Sequence, residues 1–196
     1  MQLPLFPLDT VLFPGCVLDL QLFEARYLDM LGRCLKQGHG FGVVALYAGS
    51  EVGEAASDFA EVGCEALIRD WQQRPNGLLG VRVKGGRRLR VTASQVRPDR
   101  ALMGDVEWLP EPADLPLDDA HDDLLALLGA LGEHPMVAAL GMDGAVQGQR
   151  DLANRLAYLL PFELPRKVEL LALDDPRRRL QRLQALLELL QGESFG

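Results

Sequence analysis

The sequence predicts an α+β protein in which a β-rich part comes first and a helical part follows. Apolar and polar residues alternate along several short segments in the first ~110 residues, a pattern typical of half-buried strands. Beyond them, leucines recur every three or four residues, as they do on one face of a helix. Strands and helices segregated in this way indicate two subdomains, which we place at residues 1–112 and 117–192.

Length and composition narrow the classes of function. The chain has 196 residues with 48% apolar side chains, and its 28 acidic and 20 basic residues give a formal net charge of −8. This length permits a sizeable core, and the composition is that of a globular protein. The excess of acidic residues argues against a dedicated nucleic-acid-binding protein, whose affinity depends mainly on Lys and Arg.

The sequence also predicts a cytoplasmic protein without a membrane span. No apolar run approaches the ~18 residues that a transmembrane helix needs. The first cation is Arg26, so the basic start of a signal peptide is missing. Cys16, Cys34 and Cys64 lack the spacing of zinc or redox sites, and we interpret them as small buried side chains in a reducing compartment.

The β-rich part begins with a strand and a helix. Leu18, Leu20 and Leu22 alternate with polar residues and predict a half-buried strand. A helix is predicted next, because apolar residues recur at helical spacing until glycines interrupt the pattern. These apolar positions are Phe23, Tyr27, Met30, Cys34 and Leu35, and the helix stops at Gly38 and Gly40. The apolar run at 41–46 then predicts a central strand.

Further strands complete this part. Alternation predicts strands at 62–71, 79–83, 89–91 and 102–108. The first two are joined by a hairpin turn at Asn76-Gly77, since this dipeptide favours left-handed backbone angles. Gly85-Gly86 predicts a second tight turn between 79–83 and 89–91. Many short strands with glycine turns are typical of a sheet curled into a barrel or half-barrel.

A linker and three to five helical segments follow. Residues 101–123 contain eight acidic residues, no Lys or Arg, and three prolines after residue 109, which predicts a linker that runs into a helix. One helical segment contains five leucines between Leu124 and Leu131. Another is closed by Pro161, and Pro165 is placed well in the first turn of the next. Asp174-Asp175-Pro176 predicts the N-cap of the last helix.

Six ordered motifs resemble one known family. Together they look like the LON domain, the N-terminal domain of Lon-type ATP-dependent proteases that also occurs in free-standing bacterial proteins. Similarity continues through the helical part, so it covers nearly the whole chain. The motifs are L-P-L-F-P-L at 3–8, V-L-F-P-G at 11–15, L-x-L-F-E-x-R-Y at 20–27, F-G-V-V-x-L at 41–46, V-G-C-x-A-x-I at 62–68 and G-x-R-x-R-V at 86–91. One departure is Ala25, where the family often has proline.

The resemblance implies a β-rich, PUA-like pseudo-barrel followed by a C-terminal helical bundle. In Lon this region recognises protein substrates and helps assembly, while other domains hydrolyse ATP and peptide bonds. The sequence has no G-x-x-x-x-G-K-[ST] phosphate-binding loop and no G-x-S-x-G nucleophile motif. We therefore expect binding of an unfolded polypeptide, a peptide segment or a protein partner, without catalysis and without a cofactor.

Two groups of residues are candidates for contact with a partner. Glu24, Arg26 and Tyr27 begin the first predicted helix, where they could touch a peptide; the alternative is that they form a dipole-complementing, ion-paired and packed helix start. Leu5, Phe6 and Phe13 belong to an apolar N-terminal set that also includes Leu3 and Leu12. If part of this set is exposed, it would bind extended chains or a second copy of the protein; otherwise it is core.

Two other features suggest rival functions. The basic stretch 82–100 could bind RNA on a PUA-like barrel, but alternation places most of its cations on the solvated side of a hairpin, without interleaved aromatics. His121 lies among four aspartates that could hold a cation, although an acidic helix start explains the same pattern. We therefore expect no metal site, and RNA binding is the main alternative function.

Overall fold

The computed structural model describes residues 1–48 and 58–194. The chain divides into two compact units, which we call the sheet unit (Met1–Leu109) and the helical unit (Pro110–Gly196). The fold is a mixed β-sheet followed by C-terminal helices, in agreement with the predicted α+β class. No helix in the described ranges has both the length and the apolar character that crossing a membrane requires.

Within residues 1–48 and 58–109, the sheet unit contains seven strands and one helix. The helix, α1, spans Ala25–Gln37 and lies between the second and third strands in sequence. It ends at Gly38, whose φ of 71° is the left-handed angle that a glycine C-cap provides. The strands are β1 (Gln2–Leu8), β2 (Val17–Leu22), β3 (Phe41–Ala48), β4 (Asp58–Phe59), β5 (Val62–Gln73), β6 (Leu79–Val96) and β7 (Leu102–Trp108).

Five of these strands pair in a closed circuit. β1 pairs with β7 in antiparallel orientation, and the antiparallel pairings continue from β7 to β6, β5 and β3. A parallel pairing between β3 and β1, with Leu5 opposite Gly42 and Leu8 opposite Ala45, closes the circuit. Outside the circuit, β4 pairs with β3 and β2 pairs with the first part of β6, both in antiparallel orientation.

Strand β1 was missed by the sequence analysis, which gave no element to residues 2–8. Its prolines made it look irregular, but residues 2–4 pair only with β7 and residues 6–8 only with β3, while Leu5 pairs with both. Pro4 and Pro7 therefore each face a single partner strand. Since extended backbone accommodates the fixed φ of proline, the cost is one missing N–H donor at each position.

The predicted turn at Gly85-Gly86 is wrong, because β6 runs without interruption from Leu79 to Val96. The glycine at position 85 serves another purpose. The N–H of Gly15 donates to the carbonyl of Gly85, and the N–H of Gly85 donates to the carbonyl of Cys16, each at 2.8 Å. A Cβ on Gly85 would lie 2.0 Å from the carbonyl oxygen of Phe13. The glycine therefore allows a crossing segment to lie directly on the strand.

The hairpin turn at Asn76-Gly77 is confirmed. Gly77 has a φ of 81°, and the N–H of Arg74 donates to the carbonyl of Leu78 at 2.7 Å. Inside the sheet unit, residues from β1, β6 and β7 form one apolar cluster, so that the closed circuit surrounds a packed core. This cluster consists of Leu3, Leu5, Leu89, Leu102 and Val106.

The described part of the helical unit contains five helices. A 3-10 turn (Asp119–His121) leads into the first of them. The helices are α2 (Asp122–Gly132), α3 (Pro135–Ala138), α4 (Gln149–Leu159), α5 (Leu164–Ala172) and α6 (Pro176–Ser194). Pro165 lies in the first turn of α5, and the carboxylate of Asp175 accepts the N–H of Arg177 at 2.9 Å, so both predicted helix starts are confirmed.

A buried cation holds α4 and α6 together. Arg179 of α6 is fully buried, with an exposed fraction of 0%. Its Nη1 donates to the side-chain oxygen of Asn154 in α4 at 2.7 Å, and its Nη2 donates to the carbonyl of Leu173 before α6. Hydrogen bonds to a buried guanidinium offset part of the cost of removing its charge from water, so these two bonds tie α6 to α4 and to the segment before α6.

Candidate functional site

The predicted trio at the start of α1 is largely buried. Nε of Arg26 lies 3.0 Å from the carboxylate of Glu24, and the Arg26 side chain is only 6% exposed. Its guanidinium carbon lies 4.7 Å from the centre of the Tyr27 ring, close enough for a cation–π interaction. The Tyr27 ring packs against Phe6 with 4.1 Å between ring centres. These contacts are those of the ion-paired, packed helix start and join α1 to β1, while contact of the trio with a peptide stays a prediction.

The predicted apolar contact residues also lie in the core. Leu5, Phe6 and Phe13 are all buried, as are Leu3 and Leu12 of the same segment. Of the two alternatives left open for this set, the structure agrees with burial in the core, because β1 and the segment after it are packed inside the sheet unit. A contact role for these residues would require them to leave the core, and it stays a prediction.

Several cations of the basic stretch are paired with nearby carboxylates. Arg82 donates to both carboxylate oxygens of Asp19 at 2.8 and 2.9 Å, and these hydrogen bonds hold the pKa of Asp19 below its usual value. Arg90 lies 3.6 Å from Glu61. Arg88 is fully buried, so it cannot meet a phosphate at the surface. RNA binding therefore gains no support from this stretch.

One further member of the basic stretch is held between a carboxylate and an aromatic ring. Nε of Arg87 lies 3.3 Å from Glu65, and its guanidinium carbon lies 3.6 Å from the centre of the Trp108 ring. Such stacking occupies the ring face that a nucleobase would use. The ring of Trp108 is therefore already engaged within the sheet unit.

His121 closes a helix start and does not join a ligand cluster. Its Nδ1 accepts the N–H of Asp118 at 3.0 Å, while the carboxylate of Asp118 accepts the N–H of Ala120 at 2.9 Å. This reciprocal arrangement is a capping box. Within residues 1–48 and 58–194, no group of three or more His, Cys, Asp or Glu side chains is placed to hold a metal ion.

An apolar groove opens in the helical unit, at a place the sequence analysis did not select. Its volume is about 390 Å³, within the ~300–1,000 Å³ that is usual for binding pockets. It is lined by α2, α3, the segment after α3, and α4, and we call it the helical groove. Its apolar lining includes Leu125, Leu128, Val137, Met142, Val146 and Leu159, and its charged lining consists of Glu133, Asp143 and Arg155.

An ion pair on α4 holds one wall of the helical groove. Arg155 is paired with Asp151 through two hydrogen bonds of 2.8 and 2.9 Å. The same guanidinium donates to the carbonyls of Met142, Gly144 and Ala145 at 3.2, 2.6 and 3.3 Å. The segment 142–145 has no helix or strand of its own, so Arg155 supplies the hydrogen bonds that position it. The wall is therefore preformed.

A second open surface lies on the sheet unit. Past Ala66, β5 pairs with β6 only, and no strand in the described part of the chain covers its other edge. Trp71 on this edge is 56% exposed. However, the N–H of Trp71 donates to the carboxylate of Asp70 at 2.8 Å, and the register shifts between Ile68 and Asp70. A β-bulge, and a backbone N–H that is already bonded to a neighbouring side chain, both hinder the pairing of an edge strand with another chain.

Sequence reasoning missed the helical groove because its signal was indirect. The five leucines between Leu124 and Leu131 spread over an arc of about 160° of α2, wider than the stripe of about 100° that packs against a core. Of these five, only Leu124 is buried, while the other four are half-buried. The width of this leucine face was thus the available indication of an open apolar surface.

The comparison with protein families agrees with this architecture. The family model described as the ATP-dependent protease La (LON) substrate-binding domain matches residues 2–189. The chain belongs to this LON substrate-binding domain family. The match includes both the sheet unit and nearly all of the helical unit, so the resemblance inferred from the six motifs is confirmed.

Whole Lon proteases share the same region. Lon protease 1 of Syntrophobacter fumaroxidans is 26% identical over 201 residues, which cover 97% of this chain and 24% of that protease. Lon protease of Escherichia coli K12 is 23% identical over 197 residues, with 96% and 25% covered. The chain therefore spans about a quarter of the length of these relatives.

Solved structures of LON N-terminal domains have the same fold. The crystal structure of a Lon N-terminal domain protein from Xanthomonas campestris is 35% identical and superposes with a TM-score of 0.74, covering 94% of this chain and 98% of that one. The N-terminal domain of Lon protease from the Mycobacterium avium complex is 20% identical with a TM-score of 0.60, covering 93% and 96%. The second likeness concerns the fold alone.

Proposed function

We propose that this LON-family chain is a non-catalytic module that binds an unfolded or extended polypeptide, and that the helical groove takes an apolar part of that polypeptide. The observation that carries the proposal is the groove itself, an open apolar cavity of about 390 Å³ whose wall is held in place by Arg155. Burial of apolar side chains in such a cavity would be the main driving force, at roughly 25 cal/mol per Å².

The charges at the groove indicate which polypeptides would bind best. Arg155 is already paired with Asp151, so the charge left at the lining is that of Glu133 and Asp143. Opposite charges across an interface favour association and the correct register. We therefore expect a preference for apolar segments flanked by Lys or Arg over the same segments flanked by Asp or Glu.

The proposal has three further parts. The closed circuit of strands would correspond to the PUA-like pseudo-barrel of the family, and the five helices to its helical bundle. The module would work in the cytoplasm and act by binding alone, without a cofactor. Its boundaries would be those predicted from the sequence, 1–112 for the β-rich subdomain and 117–192 for the helical subdomain.

A titration with a permanently unfolded protein tests the proposal. Fluorescence anisotropy of a labelled, reduced and carboxymethylated model protein should report binding in the micromolar range. Met142→Asp places a charge in the groove lining and should weaken binding about tenfold or more. Met136→Asp is the matched control, because Met136 is 76% exposed and does not line the groove. Its effect should be less than twofold.

Two outcomes would contradict the proposal. One is an absence of binding up to several hundred micromolar, and the other is an equal loss of affinity in both methionine variants. A third result would favour the RNA alternative instead: retention on immobilised RNA that weakens steeply between low and high salt. Circular dichroism of each variant checks that the helical unit is still folded.

A further inference from the structure

Helix α1 has an apolar face that no described part of the chain covers. Ala25, Leu28, Gly32 and Leu35 follow each other at intervals of three, four and three residues, so they lie along one side of the helix. Leu28 is 37% exposed and Leu35 is 45% exposed. The opposite side of α1 is buried in the sheet unit through Tyr27, Met30, Leu31 and Cys34.

The middle of this face is open to close approach. A Cβ added to Gly32 would meet nothing within 4 Å, so the glycine is not required by packing inside the chain. Glycine in a helix interior costs roughly 0.5–1 kcal/mol relative to alanine. Its effect on the outer surface is to let another helix backbone come near, between Leu28 and Leu35.

Two residues of opposite charge, Asp29 and Lys36, lie beside the apolar face. Two α1 helices in antiparallel orientation would bring these opposite charges together. Asp29 and Lys36 are seven residues apart, which places both on the same side of the apolar face, and both are exposed. Neither has an ion pair within the described residues. If a second α1 packs in antiparallel orientation about Gly32, each Asp29 comes opposite Lys36 of the second copy. Leu28 then meets Leu35 of that copy.

We propose that α1 is the interface of a homodimer, in which two copies of the chain pack their α1 helices in antiparallel orientation across Gly32. The proposal is independent of the helical groove, since all of its residues belong to the sheet unit. A two-fold interface must be complementary to itself. The order of Asp29 and Lys36 on α1 meets this condition, because it gives one Asp29–Lys36 pair at each end of the interface. An unrelated polypeptide would not require that order.

The size of the interface sets the expected affinity. A single pair of helices of 13 residues buries less area than the ~1,600 Å² of a standard interface. We therefore expect a reversible dimer with a dissociation constant in the micromolar range. Sedimentation velocity of the full chain over a series of concentrations measures it.

Charge reversal gives a test that is specific for this geometry. Asp29→Lys places two lysines opposite each other, and Lys36→Asp places two aspartates opposite each other, so each variant alone should dimerise about tenfold more weakly. An equimolar mixture of the two variants places lysines opposite aspartates at both ends. It should therefore form a heterodimer about as tight as the dimer of the unmodified chain. The double variant D29K/K36D should also dimerise normally.

An apolar variant and its control complete the experiment. Leu35→Glu should make the chain monomeric, whereas Leu189→Glu, at a 58% exposed position of α6, should leave the dimer unchanged. A chain that stays monomeric up to several hundred micromolar would overturn the proposal. So would single charge variants whose mixture fails to recover association. If Leu35→Glu lowers affinity for unfolded protein while the unmodified chain is monomeric, α1 binds polypeptide instead.

Discussion

The two units differ in whether their sequence motifs coincide with buried residues or with the open apolar surface. In the sheet unit, the residues of the motif-dense start, such as Phe6 and Phe13, are buried and hold the sheet together. In the helical unit, motifs are sparse, yet four leucines of α2 are accessible and two of them line an open groove. Dense motifs therefore mark how this fold is held together, and the open apolar surface lies where the pattern is looser.

The chain carries reporters that separate the two units. Both tryptophans, Trp71 and Trp108, and all three cysteines belong to the sheet unit. The cysteines are free and buried, and burial raises the pKa of Cys34 to about 11. Tryptophan fluorescence and thiol labelling therefore follow the sheet unit, whereas the far-ultraviolet circular dichroism of five helices mainly follows the helical unit.

The largest effect is expected from Arg179→Ala. This change leaves a cavity and removes the donors to Asn154 and to the carbonyl of Leu173, at a fully buried position. We expect a loss of roughly 3 to 5 kcal/mol of unfolding free energy. Urea unfolding followed by circular dichroism measures it. Arg182→Ala on the same helix removes a partly exposed ion pair with Glu169 and should cost about 0.5 kcal/mol.

If Arg179→Ala also shifts the fluorescence transition by the same amount, the two units unfold together. If only the circular dichroism transition shifts, they unfold separately. An unchanged circular dichroism transition would show that the buried network contributes nothing to the stability of the helical unit.

The next effect concerns the crossing at Gly85. Gly85→Ala forces a backbone shift, because the new Cβ would lie 2.0 Å from the carbonyl oxygen of Phe13. We expect a loss of about 2 to 3 kcal/mol from the sheet unit. The fluorescence transition in urea and the rate of thiol labelling both measure it. Labelling that stays as slow as in the unmodified chain would contradict the expected opening.

A glycine-to-alanine substitution should instead stabilise the helical unit. A Cβ on Gly129 of α2 would meet nothing within 4 Å, and alanine forms helices better than glycine does. Gly129→Ala should therefore raise the unfolding free energy of the helical unit by about 0.5 to 1 kcal/mol. Thermal unfolding by circular dichroism measures it. A decrease would mean that the groove wall is tighter than the structure shows.

The smallest effect is the pH dependence of the partly exposed ion pairs. Hydrogen bonds from Arg82 lower the pKa of Asp19 below 3.8, and those from Arg182 lower the pKa of Glu169 below 4.5. A carboxylate whose pKa is lowered by folding stabilises the fold above its unfolded pKa. This contribution is lost as the pH falls through the lower, folded value.

Asp19→Asn and Glu169→Gln should therefore each cost less than about 0.5 kcal/mol at pH 7, since solvent screens both pairs. Near pH 2 each variant should be as stable as the unmodified chain. Urea titrations at both pH values give the comparison, with fluorescence for Asp19→Asn and circular dichroism for Glu169→Gln. A stability difference between variant and unmodified chain that grows as the pH falls would contradict this prediction.

Much of the fold could be predicted from local patterns. β2, β3, β5 and β7 follow from alternation or from a short apolar run, and the starts of α5 and α6 follow from Pro165 and Asp175. β1 and the continuity of β6 could not be predicted in this way. Their assignment depends on pairings across the closed circuit and on the segment that crosses Gly85, which local sequence does not contain.

The candidate site was less predictable than the fold. The helical groove draws its lining from four separate segments, and which leucines of α2 are buried depends on where α4 lies. Likewise, Phe23 and Leu35 matched the helical spacing of the core of α1, but Phe23 precedes the helix and both are exposed. Spacing identifies a helix face, and only the packed structure shows which face is left open.

The pairing of β1 with β7 has a consequence for biosynthesis. During translation β1 emerges well before this partner, because β7 ends only at Trp108. At ~5–20 residues per second, the nascent chain carries β1 for several seconds before β7 has been synthesised. During this interval, the apolar side chains of β1 depend on whatever shields nascent polypeptides from aggregation.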